Sequence, residues 1–237
     1  NVGAGYIEKR GEQYLLIKSP PASGKSRALM FVALDKLNNQ GIKQAIIVVP
    51  ERSIGSSFAD EPLTKFGFYW DWQVAPQWNL CNAPGADEPK VAKSKVESVK
   101  KFLASGDKVL VCTHATFRFA VEELGIQSFD DRLIAIDEFH HVSSNPDSIL
   151  GTQLTALIAR DKVHVVAMTG SYFRGDSEAV LSPADEAKFE TVTYTYYEQL
   201  NGYTWLKSLD IGYFFYTGPY VEAIHKVLNP ALKTIVH

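Results

Sequence analysis

The sequence of 237 residues contains only two cysteines, Cys81 and Cys112, and no apolar run long enough to cross a membrane. Two cysteines build no disulfide framework, and neither has neighbours at metal-ligand spacing. Cys112 ends the apolar run 109–112 and is therefore predicted to be a buried thiol. Because no signal peptide is visible either, we expect a protein of the reducing cytoplasm that has no membrane partner.

The sequence also has no excess of positive charge, because it contains 24 basic and 27 acidic residues and its net charge is −3. Global attraction to a nucleic acid is thereby excluded, so any such contact must use a local patch or backbone N–H groups. The hydrophobic share of 46% and the charged share of 22% are ordinary for a globular protein. The length is sufficient for one large α/β domain.

The sequence does contain a polar loop between two apolar segments, Ser19-Pro20-Pro21-Ala22-Ser23-Gly24-Lys25-Ser26. A strand, a tight loop and a helix that begins at Gly-Lys-Ser form the layout of a phosphate-binding loop. Lys25 would reach the outer phosphates, and the Ser26 hydroxyl would bind Mg²⁺. The predicted nucleotide contacts are Pro21, Ala22, Ser23, Gly24, Lys25, Ser26 and Arg27. A chance Gly-Lys-Ser at a helix start is the alternative, and Ser19 replaces the usual first glycine.

Apolar runs and amphipathic segments alternate along the chain after this loop. Strands are predicted at 14–17, 45–50, 108–112, 133–136, 163–168, 189–196 and 234–236. Helices are predicted at 25–37, 54–66, 90–104, 115–124, 148–159, 197–203 and 220–228. Alternation at this spacing predicts an α/β fold with a mostly parallel sheet and helices on both faces.

A polar cluster follows each of five predicted strands, where ligands bind in parallel sheets. Asp137 and Glu138 come directly after the strand at 133–136. A phosphate-loop enzyme needs one carboxylate near Mg²⁺ and a second group that orients or deprotonates water. Asp137 fits the first role and Glu138 the second. A helix-capping acid beside a surface glutamate is the alternative.

Taken in order, these clusters resemble the motifs of superfamily 2 helicases and translocases of the DExH/DEAD type. The resemblance spans about residues 15–171, and its motifs are Gly24-Lys25-Ser26, Val49-Pro50-Glu51-Arg52, Val111-Cys112-Thr113-His114-Ala115-Thr116, Asp137-Glu138-Phe139-His140 and Met168-Thr169-Gly170-Ser171. It implies a P-loop NTPase fold of the RecA-like type, ATP and Mg²⁺ as cofactors, and nucleic acid as partner, with DNA slightly favoured over RNA.

The resemblance also implies a role for each motif residue. Lys25, Asp137 and Glu138 would be catalytic, and Ser26 and Asp137 would hold the metal. Two further groups would line the nucleic-acid track and couple it to the nucleotide: Arg52, Thr113 and His114 for the track, and His140, Thr169 and Ser171 for coupling. The alternatives are a solvated charge for Arg52, a helix cap for Thr113 and a hydrogen-bonded rim histidine for His140.

Other parts of the sequence depart from the family pattern or carry weaker signals. Ala22 stands where the family commonly has glycine, and no upstream glutamine motif for adenine is visible, so base specificity stays open. The tryptophans of residues 70–78 favour a satellite core over base stacking. The basic side of the helix at 90–104, from Lys93 to Lys101, favours a solvated surface. Arg174 receives no specific role.

The end of the chain suggests an excised piece of a longer protein. Residues 1–200 are predicted to form the first motor domain, and residues 201–237 a linker and first strand toward a second RecA-like domain. In the family that the chain resembles, the second motor domain supplies arginines that stabilise the transition state, and no matching pair follows the acidic box here. The resemblance therefore implies that this fragment alone binds ATP weakly and hydrolyses it very slowly. The alternatives are another phosphate-loop motor, for packaging or remodelling, and a non-catalytic nucleotide-sensing module.

Overall fold

The computed structural model describes residues 2–82, 89–142, 148–170, 181–202 and 217–227. Among these residues there are six strands, β1 Tyr14–Lys18, β2 Ala45–Val49, β3 Val109–Thr113, β4 Leu133–Ile136, β5 His164–Thr169 and β6 Glu190–Thr193. They form one sheet in the order β3-β2-β4-β5-β1-β6, and every neighbouring pair is parallel. The predicted parallel α/β sheet is confirmed.

Helices cover both faces of this sheet, because each face carries its own hydrophobic cluster. One cluster joins the sheet to the helices at 89–104, 114–124 and 149–160, and the other joins it to the helices at 2–8 and 25–39. The described helices are α1 Val2–Glu8, α2 Lys25–Asn39, α3 Arg52–Gly55, α4 Pro89–Ala104, α5 His114–Leu124, α6 Ile149–Arg160, α7 Pro183–Glu186, α8 Tyr196–Gly202 and α9 Tyr220–Val227. Strand alternation explains the two faces, since successive side chains point in opposite directions.

The prediction of a single helix over residues 54–66 is wrong. In its place the short helix α3 is followed by 3₁₀ turns at Ser56–Phe58 and Leu63–Phe66. Pro62 lacks the N–H that a continuing helix needs, and an antiparallel bridge pairs Glu61 with Trp72 instead. Trp72 is fully buried in the cluster that joins the sheet to α2, and Trp78 packs edge-on against Phe102. Both therefore belong to the main core and not to the predicted satellite core.

The basic side of α4 differs from the prediction at one position. Lys93, Lys100 and Lys101 are exposed, but Lys95 is only 4% exposed. Lys95 precedes the buried Val99 by four residues and the buried Phe102 by seven, which places it on the core-facing side of the helix. The predicted solvated surface therefore consists of the other three lysines.

The chain divides into two compact units, Asn1–Gly202 and Tyr203–His237. In the second unit, α9 is described, whereas the strand predicted at 234–236 lies outside the described residues. The assignment of 201–237 as a linker toward a second motor domain stays a prediction. Within the described part of the chain, no helix combines the length and apolarity required to span a membrane.

A buried lysine lies at the opposite edge of the sheet from the predicted nucleotide site. The Lys36 ammonium donates to the Glu12 carbonyl at 2.8 Å, to Gln40 Oε1 at 3.1 Å and to His164 Nδ1 at 2.9 Å. Burial, followed by the charge of Lys36, lowers the pKa of His164 to about 4. His164 therefore stays neutral in the folded chain at pH values where the unfolded chain protonates it.

We expect the free energy of unfolding to fall as the pH drops from about 6.5 to 4, because the unfolded state then binds more protons at His164. At about 1.4 kcal/mol per pKa unit, and reduced for the partial exposure of the ring to solvent, this residue accounts for about 1 to 2 kcal/mol. The His164→Gln variant keeps an acceptor for Lys36 and has no titration, so it should lose less stability. Urea unfolding of both chains at pH 7.5 and 4.5 measures the difference, and equal losses would contradict the assignment.

Candidate nucleotide-binding site

The loop between β1 and α2 turns through two left-handed residues. Gly24 has φ 84° and caps the first turn of α2, and Ala22 has φ 58° although it carries a side chain. The Ser19 N–H donates to the Thr169 carbonyl at 3.1 Å, and the Ser19 and Ser23 hydroxyls are hydrogen-bonded to each other. The loop thus delivers Lys25 to the start of a 15-residue helix, whose free N–H groups favour an anion.

The acidic pair follows β4 and approaches the loop. Asp137 is 4% exposed, its N–H donates to the Val48 carbonyl at 2.9 Å, and its Oδ1 accepts the Glu138 N–H at 2.9 Å. Glu138 is left-handed with φ 48°, and its Oε1 accepts from Lys25 Nζ at 3.1 Å. The ends of β1 and β4 therefore bring Lys25 and Glu138 together, although these two residues are 113 positions apart in sequence.

Two of the three predicted coupling residues meet beside this pair. His140 Nδ1 lies 3.3 Å from Thr169 Oγ1 and 3.3 Å from Glu138 Oε2. The contacts link the end of β5 to the carboxylate that Lys25 also contacts. Ser171 and Arg174 lie outside the described residues.

The predicted track residues lie at the carboxyl ends of β2 and β3. Arg52 Nε donates to the Cys81 carbonyl at 2.9 Å. Thr113 caps α5, because its Oγ1 accepts the Thr116 N–H at 3.2 Å, as the capping alternative predicted. His114 Nε2 lies 3.1 Å from the Asp137 carbonyl, and burial, the largest cause, lowers the pKa of His114 to about 4. A nucleic-acid role for these residues stays a prediction.

Ser26 and Asp137 line the same cavity and are chemically suited to Mg²⁺. Hydroxyl and carboxylate oxygens are the hard ligands that this ion takes. Burial, followed by the charge of Glu138, raises the pKa of Asp137 to about 6. A divalent cation would offset this penalty, since a nearby positive charge favours the ionised carboxylate. The residues present therefore fit the metal.

The cavity over the loop has a volume of about 510 Å³, within the usual range for small-molecule sites. Its lining includes Pro21, Ala22, Gly24, Lys25, Ser26, Arg27, Asp137 and Glu138, all predicted from the sequence. Met30, Ile54, Ser57 and Glu61 complete the wall and were not predicted. Arg27 is paired with Glu61 at 2.6 Å and lies over the Phe66 ring.

Gly170 is a further residue that the sequence did not single out as a site residue. A Cβ added to Gly170 would overlap Lys25 Nζ and lie 3.5 Å from the Ser19 carbonyl oxygen. Close approach of a lysine to backbone is a recurring reason for glycine. The available signal was its place directly after Thr169, at the end of a predicted strand.

Residues 6–177 match the DEAD/DEAH box helicase family. The chain belongs to this family. The resemblance predicted from the five motifs is therefore confirmed. A curated relative from Bacillus subtilis (strain 168), which carries the name "Putative ATP-dependent helicase YeeB", is 56% identical over 231 residues. These residues are 98% of the present chain and 37% of the relative, so the chain spans little more than a third of that protein.

Among solved structures, the Pyrococcus furiosus Hef helicase domain gives a TM-score of 0.48 at 16% identity, over 79% of this chain and 36% of the other. The Sulfolobus solfataricus SWI2/SNF2 ATPase core in complex with dsDNA gives 0.44 at 16% identity, over 73% of this chain and 30% of the other. The fold assignment depends on the strand order and family match above rather than on these similarities.

Proposed function

We propose that this chain is the ATP-binding motor domain of a DExH-type helicase or translocase, which couples ATP hydrolysis to movement on a nucleic acid. The contact of Lys25 with Glu138 over the cavity carries this proposal. It joins a phosphate-binding loop to a candidate base at the carboxyl edge of the sheet, in a member of a helicase family.

Each residue around the cavity has a role in this proposal. Backbone N–H groups of residues 22–26 bind the phosphates, and the Lys25 ammonium balances the charge of the outer ones. The Ser26 hydroxyl and the Asp137 carboxylate hold Mg²⁺, which when bound neutralises phosphate charge. Glu138 orients the attacking water and takes its proton, and its contact with Lys25 fixes the carboxylate before the substrate enters.

The nucleic acid lies along Arg52, Thr113 and His114 in this proposal, with DNA favoured over RNA. The bond between His114 and the Asp137 carbonyl gives this track a direct connection to the acidic pair. His140 and Thr169, together with Ser171, pass changes at Glu138 to the rest of the domain.

The remaining parts of the proposal concern the intact protein. Residues 201–237 lead to a second RecA-like domain that supplies the missing arginines, and the location is the cytoplasm. Support for a further domain comes from the greater length of the Bacillus relative. A packaging or remodelling motor and a nucleotide-sensing module are the competing functions.

The test measures ATPase activity of the intact protein with and without single-stranded DNA or RNA. We expect stimulation, with a lower half-maximal concentration for DNA. The Arg52→Ala variant should raise that concentration several-fold and reduce the slope of log affinity against log salt by about one, as for the loss of one phosphate contact.

The matched control is Arg160→Ala, because Arg160 pairs with Asp130 at the opposite edge of the sheet. It should leave both the affinity and the slope at wild-type values. ATPase activity without stimulation by either nucleic acid would favour the packaging or remodelling motor. Nucleotide binding without turnover would favour the sensing module.

A further inference from the structure

The phosphate-binding loop contains a residue in an unfavourable conformation. Ala22 has φ 58°, a left-handed value that is disfavoured for residues with a Cβ. Pro21 directly precedes it and has a restricted φ of its own. Surrounding groups must therefore hold this turn, because residues in such conformations persist only where contacts determine them.

A glutamine from α8, the last described helix of the unit Asn1–Gly202, contacts the loop directly before Ala22. Gln199 lies on α8, is 7% exposed, and its Nε2 donates to the Pro21 carbonyl at 3.2 Å. It reaches this carbonyl from a position 178 residues further along the chain. The bond fixes the orientation of the peptide that links Pro21 to Ala22.

The start of α8 is itself held in place next to β1. The Tyr194 N–H donates to the Lys18 carbonyl at 2.8 Å. The Thr195 N–H and hydroxyl donate to Glu198 Oε2 at 2.7 and 2.8 Å, which closes the first turn of the helix. These hydrogen bonds fix the first turn of α8, from which the Gln199 side chain extends toward the loop.

A hollow of about 220 Å³ separates part of the loop from the chain that leads into α8. Its lining consists of Lys18, Ser19, Pro20, Gly170, Thr193, Tyr194, Thr195 and Tyr196. Because of this hollow, the first residues of the loop are not closely packed against residues 193–196 there. A hydrogen bond from α8 to the loop therefore has more influence on the conformation of the loop than it would have beside a closely packed contact.

We propose that Gln199 is a positioning residue for nucleotide binding, which keeps Ala22 left-handed through its bond to the Pro21 carbonyl. The N–H groups that follow Pro21 then point toward the phosphates before the nucleotide arrives. This inference rests on the proposed function, because it gives the loop a phosphate to bind. It assigns to α8, which lies outside the five motifs named above, an effect on ATP affinity.

The test compares intact wild-type protein with Gln199→Leu, which keeps the side-chain size but removes the donor. We expect the KM for ATP and the Kd for a fluorescent ATP analogue to rise about 5- to 30-fold, because a polar group loses its partner. The kcat should stay within about two-fold, since the loss affects substrate and transition state alike. Gln199→Glu, which also lacks the donor when ionised, should show the same split between KM and kcat.

A rescue experiment separates positioning from a structural role. Glycine adopts the left-handed conformation without the penalty of a Cβ, so in an Ala22→Gly background the effect of Gln199→Leu on KM should shrink to about two-fold. A structural defect in α8 would persist in that background. Gln77→Leu, at an exposed glutamine outside the site, is the matched control and should not change KM.

The outcomes distinguish this inference from the proposed function. An unchanged KM in Gln199→Leu, with nucleotide binding clearly weakened by Lys25→Ala, would overturn the inference and leave the proposed function intact. A raised KM that Ala22→Gly does not reduce would also overturn it. Nucleotide binding of wild-type strength in Lys25→Ala would instead count against the proposed function itself.

Discussion

Glu138→Gln in the intact protein is expected to lower the kcat for ATP by about a thousand-fold, within the range of a lost general base. The amide oxygen can still accept from Lys25, and Gln has the shape of Glu, so the ground-state geometry should persist. We therefore expect the Kd for ATP to stay within a few-fold of the wild-type value. Single-turnover hydrolysis and equilibrium nucleotide binding measure the two quantities separately.

The matched control for this variant is Glu122→Gln, at an exposed acid on α5 away from the cavity, which should keep wild-type turnover. Turnover within ten-fold of wild type in Glu138→Gln would remove Glu138 as the base and favour a nucleotide-sensing module. Loss of ATP binding would instead show that its main role is to hold Lys25.

The parts of the fold that the sequence predicted are those determined by local pattern. β2 and β4 are continuous apolar runs, and such runs are typical of strands buried on both faces. The loop at Lys25 and the acids after β4 were found because each follows a strand. Parallel strands present their carboxyl ends at one edge, so their proximity could be predicted without coordinates.

The remaining parts depend on contacts between distant residues. Ile54, Ser57 and Glu61 line the cavity because the segment after β2 packs across α2, which no local pattern indicated. Gln199 contacts Pro21 although the two residues are 178 positions apart in sequence. The helix α1 was not predicted, since seven residues with two glycines give little helical signal. Lys95 was predicted to be exposed because it is charged, although its spacing from Val99 and Phe102 places it on the buried side of α4.

Gly170→Val in the intact protein is expected to raise the KM for ATP about 100-fold. The new Cβ would overlap Lys25 Nζ, the far end of a flexible side chain, so the ammonium must shift away from its place beside Glu138. The same Cβ would lie 3.6 Å from Pro21 Cδ, within ordinary contact distance, so the main displacement falls on Lys25 rather than on the loop. Steady-state kinetics and binding of a fluorescent ATP analogue measure the loss, and circular dichroism checks that the fold is retained.

A double-mutant cycle with Lys25→Met shows whether Gly170 acts through the lysine. Once the ammonium is gone, Gly170→Val has little left to displace, so its effect on nucleotide binding should fall from about 100-fold to a few-fold. Gly106→Val is the matched control, because a Cβ at that glycine meets no atom within 4 Å. Full additivity of the two site variants would mean that valine perturbs the loop itself, and that Gly170 does not maintain the position of Lys25.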